Sequence, residues 1–150
     1  MVNNNKSILL IEDNPGDIRL TQEAFKLVDK QQTLFVTKDG EEAIRFLFKN
    51  PPYEHQPTPD LIILDLNLPK KTGREILTII KQDADLKVIP TLILSTSRSF
   101  VDIKYCYENH ANSYLTKPVD LDLFFDMIRN VYSFWCTSVT LPSLNNLVTK

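Results

Sequence analysis

The chain has 150 residues, a formal net charge of −2, 43% hydrophobic and 24% charged residues, values that suit one compact domain with a real core. Near-neutral charge without a basic stripe argues against nucleic acid or an anionic membrane as partner, and no apolar run approaches the roughly 18 residues of a membrane span. The polar residues 1–6 carry no signal-type core, and Cys106 and Cys136 lack metal-ligand spacing, so a soluble cytoplasmic protein with reduced thiols is expected.

Residues 1–6 read as a disordered N-terminus. The apolar run Ile8, Leu9, Leu10 and Ile11 ends at Glu12 and Asp13 and predicts a strand buried on both faces. Asn14, Pro15, Gly16 and Asp17 break it, and Ile18, Leu20, Ala24, Phe25 and Val28 follow at helical spacing. A weaker strand over 34–37 leads through Asp39 and Gly40 into a second helix with Ala43, Ile44, Phe46, Leu47 and Phe48. Residues 50–59 hold Pro51, Pro52, Pro57 and Pro59, which marks an irregular connection.

The clearest buried strand covers 61–65. Thr72 with Glu75 predicts a capping box opening a third helix along Ile76, Leu77, Ile79 and Ile80. A fourth strand runs from Pro90 through Leu94, a helix covers about 99–109, and a fifth strand covers 113–116. The last helix spans about 120–134, followed by a tail containing Pro142 with no helical period. Strand and helix alternate five times, which predicts a doubly wound parallel sheet covered by helices on both faces. Nothing suggests a second domain, and the tail is too short for an output domain.

In such sheets ligands sit at the carboxyl ends of the strands. Those ends carry Glu12 and Asp13, then Asp65 with Asn67 beyond it, then Ser95, Thr96 and Ser97, then Thr116, Lys117 and Pro118. Clustered carboxylates repel one another unless a cation neutralises them, and oxygen ligands suit Mg²⁺. Asp65 is then a carboxylate nucleophile able to form an aspartyl-phosphate, with charge from Lys117 and a hydrogen bond from Ser95 on the phosphoryl oxygens. Thr96 and Ser97 offer rival hydroxyls, but strand alternation turns Thr96 to the opposite side and favours Ser95.

These residues resemble the response-regulator receiver domains of bacterial two-component systems. The matching positions are Leu10 to Asp13 in sequence, the run Asp60 through Pro69, then Gly73, Ser95, Tyr114, Lys117 and Pro118. The resemblance implies the flavodoxin-like (β/α)5 fold with strand order 2-1-3-4-5 over residues 7–135, with 136–150 as a C-terminal extension. It implies Asp65 as phospho-acceptor and Mg²⁺ held by Glu12, Asp13, Asp65 and the Asn67 carbonyl. Lys117 and Ser95 would stabilise the phosphoryl group, Ser95 and Tyr114 would form the switch, and the bond before Pro118 would be cis. The donor is a histidine kinase, and the signal passes through the face of the fourth helix, fifth strand and fifth helix.

The segments around Asp65 to Lys71, Leu94 to Ser97, Ser133 to Trp135 and Val139 to Pro142 are similar to the response regulators of cyanobacterial phytochromes. That likeness implies a phytochrome kinase as partner, no output domain and a homodimer. The last helix is apolar over a wide arc. Tyr105, Phe125, Tyr132, Trp135 and Leu141 are therefore candidates for the dimer face.

Two departures from the family stand out. Thr72 replaces a common Asp, and Thr96 stands where Ala or Gly is usual, so Thr96 is expected to hinder water and prolong the phosphorylated state. His55 and His110 read as surface residues. An aspartate-nucleophile phosphatase is disfavoured because Asn67 occupies its usual acid/base position. A flavodoxin-type cofactor carrier is disfavoured because Glu12 and Asp13 would repel a phosphate. The remaining alternative is a degenerate receiver that binds partners without phosphorylation, against which the intact Glu12, Asp13, Asp65 and Lys117 argue. Any catalysis would be confined to the protein's own phosphoryl transfer and dephosphorylation.

Overall fold

A computed structural model describes residues 5–145. The expected disordered N-terminus therefore lies mostly outside the described residues, as does the end of the C-terminal extension. The strands are β1 (Ser7–Ile11), β2 (Thr33–Thr37), β3 (Leu61–Leu64), β4 (Thr91–Ser95) and β5 (Ser113–Thr116). The helices are α1 (Pro15–Val28), α2 (Gly40–Leu47), α3 (Gly73–Gln82), α4 (Phe100–Glu108) and α5 (Leu121–Val131). All strand pairs are parallel in the order β2-β1-β3-β4-β5, as the sequence predicts.

The sheet divides the core by the alternation of side chains along each strand. Leu9, Ile11, Ile62, Leu64 and Ile93 face Ala43, Phe46 and Leu47 of α2, Ile76, Leu77 and Ile80 of α3, and Cys106 of α4. Ile8, Leu10, Leu61, Ile63, Leu92 and Leu94 face Phe25 of α1 and Phe124, Ile128 and Val131 of α5. Each fully buried Leu or Ile contributes about 1.5–3 kcal/mol, so these layers carry the stability. Cys106 and Cys136 are buried thiols, and burial pushes both up to about 11. No helix among the described residues is long and apolar enough to cross a membrane.

Local sequence fixes the helix starts. Asn14, Asp39 and Asp120 each cap a helix by accepting from the backbone N–H three residues on. Thr72 and Glu75 form the predicted capping box, with bonds of 3.3 and 2.9 Å. At Gly73 an added Cβ would lie 2.2 Å from the Asp65 carbonyl oxygen, so only glycine lets α3 start this close behind β3.

The chain after α5 departs from expectation. Helical structure does not stop at 134 but continues as a π-helix over Tyr132–Ser138. Its wider i→i+5 repeat shifts apolar positions off the 3.6-residue period, which hides it from a pattern reading. The tail then crosses the amino edge of the sheet. Leu141 is buried, Ser143 Oγ bonds Asp60 Oδ1 at 3.1 Å, and the Asn145 side chain bonds both the N–H and C=O of Thr58.

That packing bears on the proposed dimer residues. Leu141 is consumed within the chain, and Phe125, Tyr132 and Trp135 pack partly buried against the α1–α5 core. Tyr105 packs against the opposite layer. The large apolar side chains that stay exposed around α5 are Val119, Leu121, Leu123 and Phe134.

Candidate functional site: an acidic cluster with one lysine

The order of the strands reverses between β1 and β3, where a doubly wound sheet opens a crevice at the carboxyl ends. The ladder carries the backbone into that crevice in register. Glu12 N–H donates to Thr37 O, Asp65 N–H to Ile11 O and Lys117 N–H to Ser95 O, at 3.0, 3.0 and 2.8 Å. Glu12, Asp65, Ser95 and Lys117, predicted at four separate strand ends, are thereby neighbours.

Lys117 is the centre of the site. Its Nζ donates to Glu12 Oε1 at 2.5 Å, Asp17 Oδ2 at 2.9 Å and Asp65 Oδ2 at 3.1 Å. The Lys117, Glu12 and Asp65 side chains are almost wholly buried. Burial opposes the ammonium, but hydrogen bonds to Glu12 and Asp17 and the Asp65 charge outweigh it and hold Lys117 protonated well above its ordinary range. Burial, reinforced by a hydrogen bond to Asp65, pushes Glu12 up to about 8. One ammonium does not balance the surrounding carboxylates.

The donors fit a hard cation. Carboxylate oxygens of Glu12, Asp13 and Asp65 lie within 4.8 Å of one another, with Asp13 exposed at the rim. All are oxygen donors, and burial together with the neighbouring Asp65 carboxylate raises Glu12, a cost that a bound cation would relieve. Asp65 Oδ1 accepts from the Asn67 N–H at 3.1 Å, which orients the carboxylate.

Ser95 is fully buried, and its Oγ accepts from the Ser97 N–H at 3.1 Å. The Tyr114 hydroxyl donates to the Ser97 carbonyl at 2.8 Å, so both predicted switch residues meet at Ser97. Thr96 is exposed and lines a cavity of about 290 Å³ with Asp17, Lys117 and Pro118, on the other side of the strand from Ser95. His55 and His110 are both exposed and away from the site.

Two points differ from the sequence reading. The Lys117–Pro118 bond is trans, and the cis bond among the described residues is Pro51–Pro52. Trans is the lower-energy form even before proline, and it already delivers Lys117 to its three carboxylates. Asp17 is the residue that sequence reading missed. The strand-breaking Asn14, Pro15 and Gly16 drew attention away from an acid in the first turn of α1, the one signal that could have found it.

Comparison with known proteins agrees with this geometry. The chain is 48% identical over 138 residues to response regulator Rcp1 of Synechocystis sp. strain PCC 6803, covering 92% of this chain and 94% of Rcp1. The solved phosphorylated cyanobacterial phytochrome response regulator RcpA superposes with a TM-score of 0.90 at 45% identity, covering 93% of this chain and 99% of RcpA. The Mn(2+)-bound form of Rcp1 gives 0.87 at 48% identity, covering 91% and 99%. The response regulator receiver domain matches residues 8–129, which include the whole acidic cluster and, but for Ser7 at the start of β1, all five strands, and the chain belongs to that family.

Proposed function

We propose that this chain is a phosphorylation-driven response regulator that accepts a phosphoryl group on Asp65 from a histidine kinase, in a Mg²⁺-dependent reaction. The observation that carries this reading is the bond from Lys117 Nζ to Asp65 Oδ2 at 3.1 Å inside a cluster of cation-suited carboxylates. A surface for phosphorylation-independent binding would not need a buried lysine and three clustered acids. Glu12, Asp13, Asp65 and the Asn67 carbonyl would hold Mg²⁺, which would supply positive charge to the phosphoryl oxygens.

An oxygen of the Asp65 carboxylate forms a bond to phosphorus as the P–N bond to the donor imidazole breaks, its electron pair leaving with the ring nitrogen. Lys117 exchanges its bond to Asp65 for one to a phosphoryl oxygen and keeps Asp17 as counter-ion. Ser95 donates to a second phosphoryl oxygen, and the Tyr114 bond to Ser97 transmits the change to α4, β5 and α5. Likeness to RcpA, a cyanobacterial phytochrome response regulator, supports a phytochrome as the kinase, and a homodimer is the assembly we propose. Residues 7–135 are the receiver and 136–150 its extension, in a cytoplasmic protein.

The test is incubation with acetyl phosphate and Mg²⁺ followed by intact-mass measurement. A gain of one phosphoryl group, absent in Asp65→Asn and suppressed by chelating the metal, is the expected result. No gain, with a reactive receiver run alongside, overturns the reading.

A further inference from the structure

The loop between β4 and α4 is held by a run of hydrogen bonds that lies outside the acidic cluster. Ser97 binds Ser95 and Tyr114 through its backbone, and its own Oγ donates to Asp102 Oδ2 at 2.5 Å. Asp102 in the first turn of α4 is paired through Oδ1 with Arg74. Arg74 stacks its guanidinium 4.6 Å from the Tyr105 ring centroid, and the Tyr105 hydroxyl meets Thr78 Oγ1 at 3.1 Å. Hydrogen bonds from Ser97 and then Arg74 hold Asp102 below the usual carboxylate range.

The same contacts lead back toward Asp65. Arg74 follows Gly73, whose N–H donates to Leu66 O at 2.9 Å and whose Cα lies against the Asp65 carbonyl. The path therefore runs from Asp65 through the start of α3, across Arg74 and Asp102, to Ser97 and back to Ser95. At its end Ser95 Oγ accepts the Ser97 amide, which leaves its own proton for another acceptor. Ser99, the N-cap of α4, makes no side-chain cap, so Ser97 and Asp102 take over the task of fixing this turn.

We propose that Arg74 and Asp102 are positioning residues for phosphoryl acceptance, locking the β4–α4 loop through Ser97 so that the Ser95 hydroxyl is held ready to donate to the phosphoryl group. This rests on Asp65 being the acceptor. An ion pair between α3 and α4 on the surface is by itself worth little. Its use here is to restrict the two residues whose orientation the chemistry needs, where small misplacements carry large rate costs.

The test measures binding of beryllium fluoride, a phosphoryl analogue, and of Mg²⁺ alone to wild type, Arg74→Met, Asp102→Asn, the double variant and Ser97→Ala. Expected is a loss of about tenfold in analogue affinity for each single variant, a double variant no worse than the singles, and unchanged Mg²⁺ affinity. Asp102→Glu should recover part of the loss. Melting temperatures within a few degrees of wild type show that folding is not the cause. Variants that bind the analogue as wild type does, or lose Mg²⁺ and analogue together, overturn the positioning role. Wild type that binds Mg²⁺ but no analogue overturns the assignment of Asp65 and this role with it.

Discussion

The two edges of the sheet each place one lysine among three oxygen acceptors, and the two lysines do opposite things. At the carboxyl edge Lys117 meets the carboxylates of Glu12, Asp17 and Asp65. At the amino edge Lys81 of α3 donates to the carbonyls of Lys87 and Ile89 and to Asn112 Oδ1, each at 3.0 Å. Lys117 is held charged by its partners, whereas burial among neutral groups pushes Lys81 down to about 8. The carboxyl edge is left with surplus negative charge, which a cation or a phosphoryl exchange can relieve. The amino edge is satisfied as it stands. Similar bonding at the two ends thus serves chemistry at one and closure of the fold at the other.

Substitution of the two lysines should separate these roles. Lys117→Met is expected to slow phosphoryl acceptance by about 100-fold or more, since it removes charge stabilisation from a water-poor site. Rates of mass gain with acetyl phosphate measure this. A fall of less than fivefold would mean that Lys117 only balances charge in the resting state.

The charge surplus itself has a pH signature. Glu12 stands at about 8 in the folded chain against an ordinary value of 4.5, so the folded state holds the additional proton between those values. Stability without divalent cation should therefore fall as pH rises through that window. Saturating Mg²⁺ displaces the proton and should flatten the slope, as should Glu12→Gln without metal. Urea midpoints from pH 5 to 8 test it, and a slope unchanged by both treatments would remove the argument for an uncompensated cluster.

Lys81→Met should leave acceptance unchanged while lowering stability by about 0.5–1.5 kcal/mol, because it removes three bonds at the amino edge, of which the one to the Ile89 carbonyl is part-buried. Equilibrium urea denaturation reads this directly. Asn145→Ala tests the tail on the same edge. It removes two bonds to Thr58 and is expected to cost about 0.5–1.5 kcal/mol. If stability does not change, the tail is laid on the edge without holding it.

The smallest expected effect lies back at the carboxyl edge. Thr96→Ala should shorten the phosphorylated lifetime by a few-fold by opening the cavity that Thr96 shares with Lys117. Following loss of the phosphoryl mass after donor removal decides it, and an unchanged decay would leave Thr96 without a shielding role.

The carboxyl edge was far more legible in the sequence than the amino edge. Asp65, Glu12, Ser95 and Lys117 each end an apolar strand, so a rule about parallel sheets was enough to gather them. Asp17, Arg74 and Asp102 gave no such signal, because an acid or base in a first helical turn is commonplace and its partner lies on another element. Lys81 looked like any helical lysine. The tail beyond 134 was opaque because a π-helix and a strap without repeat have no period to read.

Local chemistry in the sequence by itself determined the strands, the capped helix starts, their alternation and the acids at the strand ends. Those follow from apolar runs, capping side chains and turn residues acting over a few positions. Only the tertiary structure decided which acids Lys117 answers, that the bond before Pro118 is trans, that Leu141 is used inside the chain and that Arg74 reaches Asp102. Each of these depends on distances between elements far apart in the chain, which the packing of two helical layers on a twisted sheet sets and no local pattern encodes.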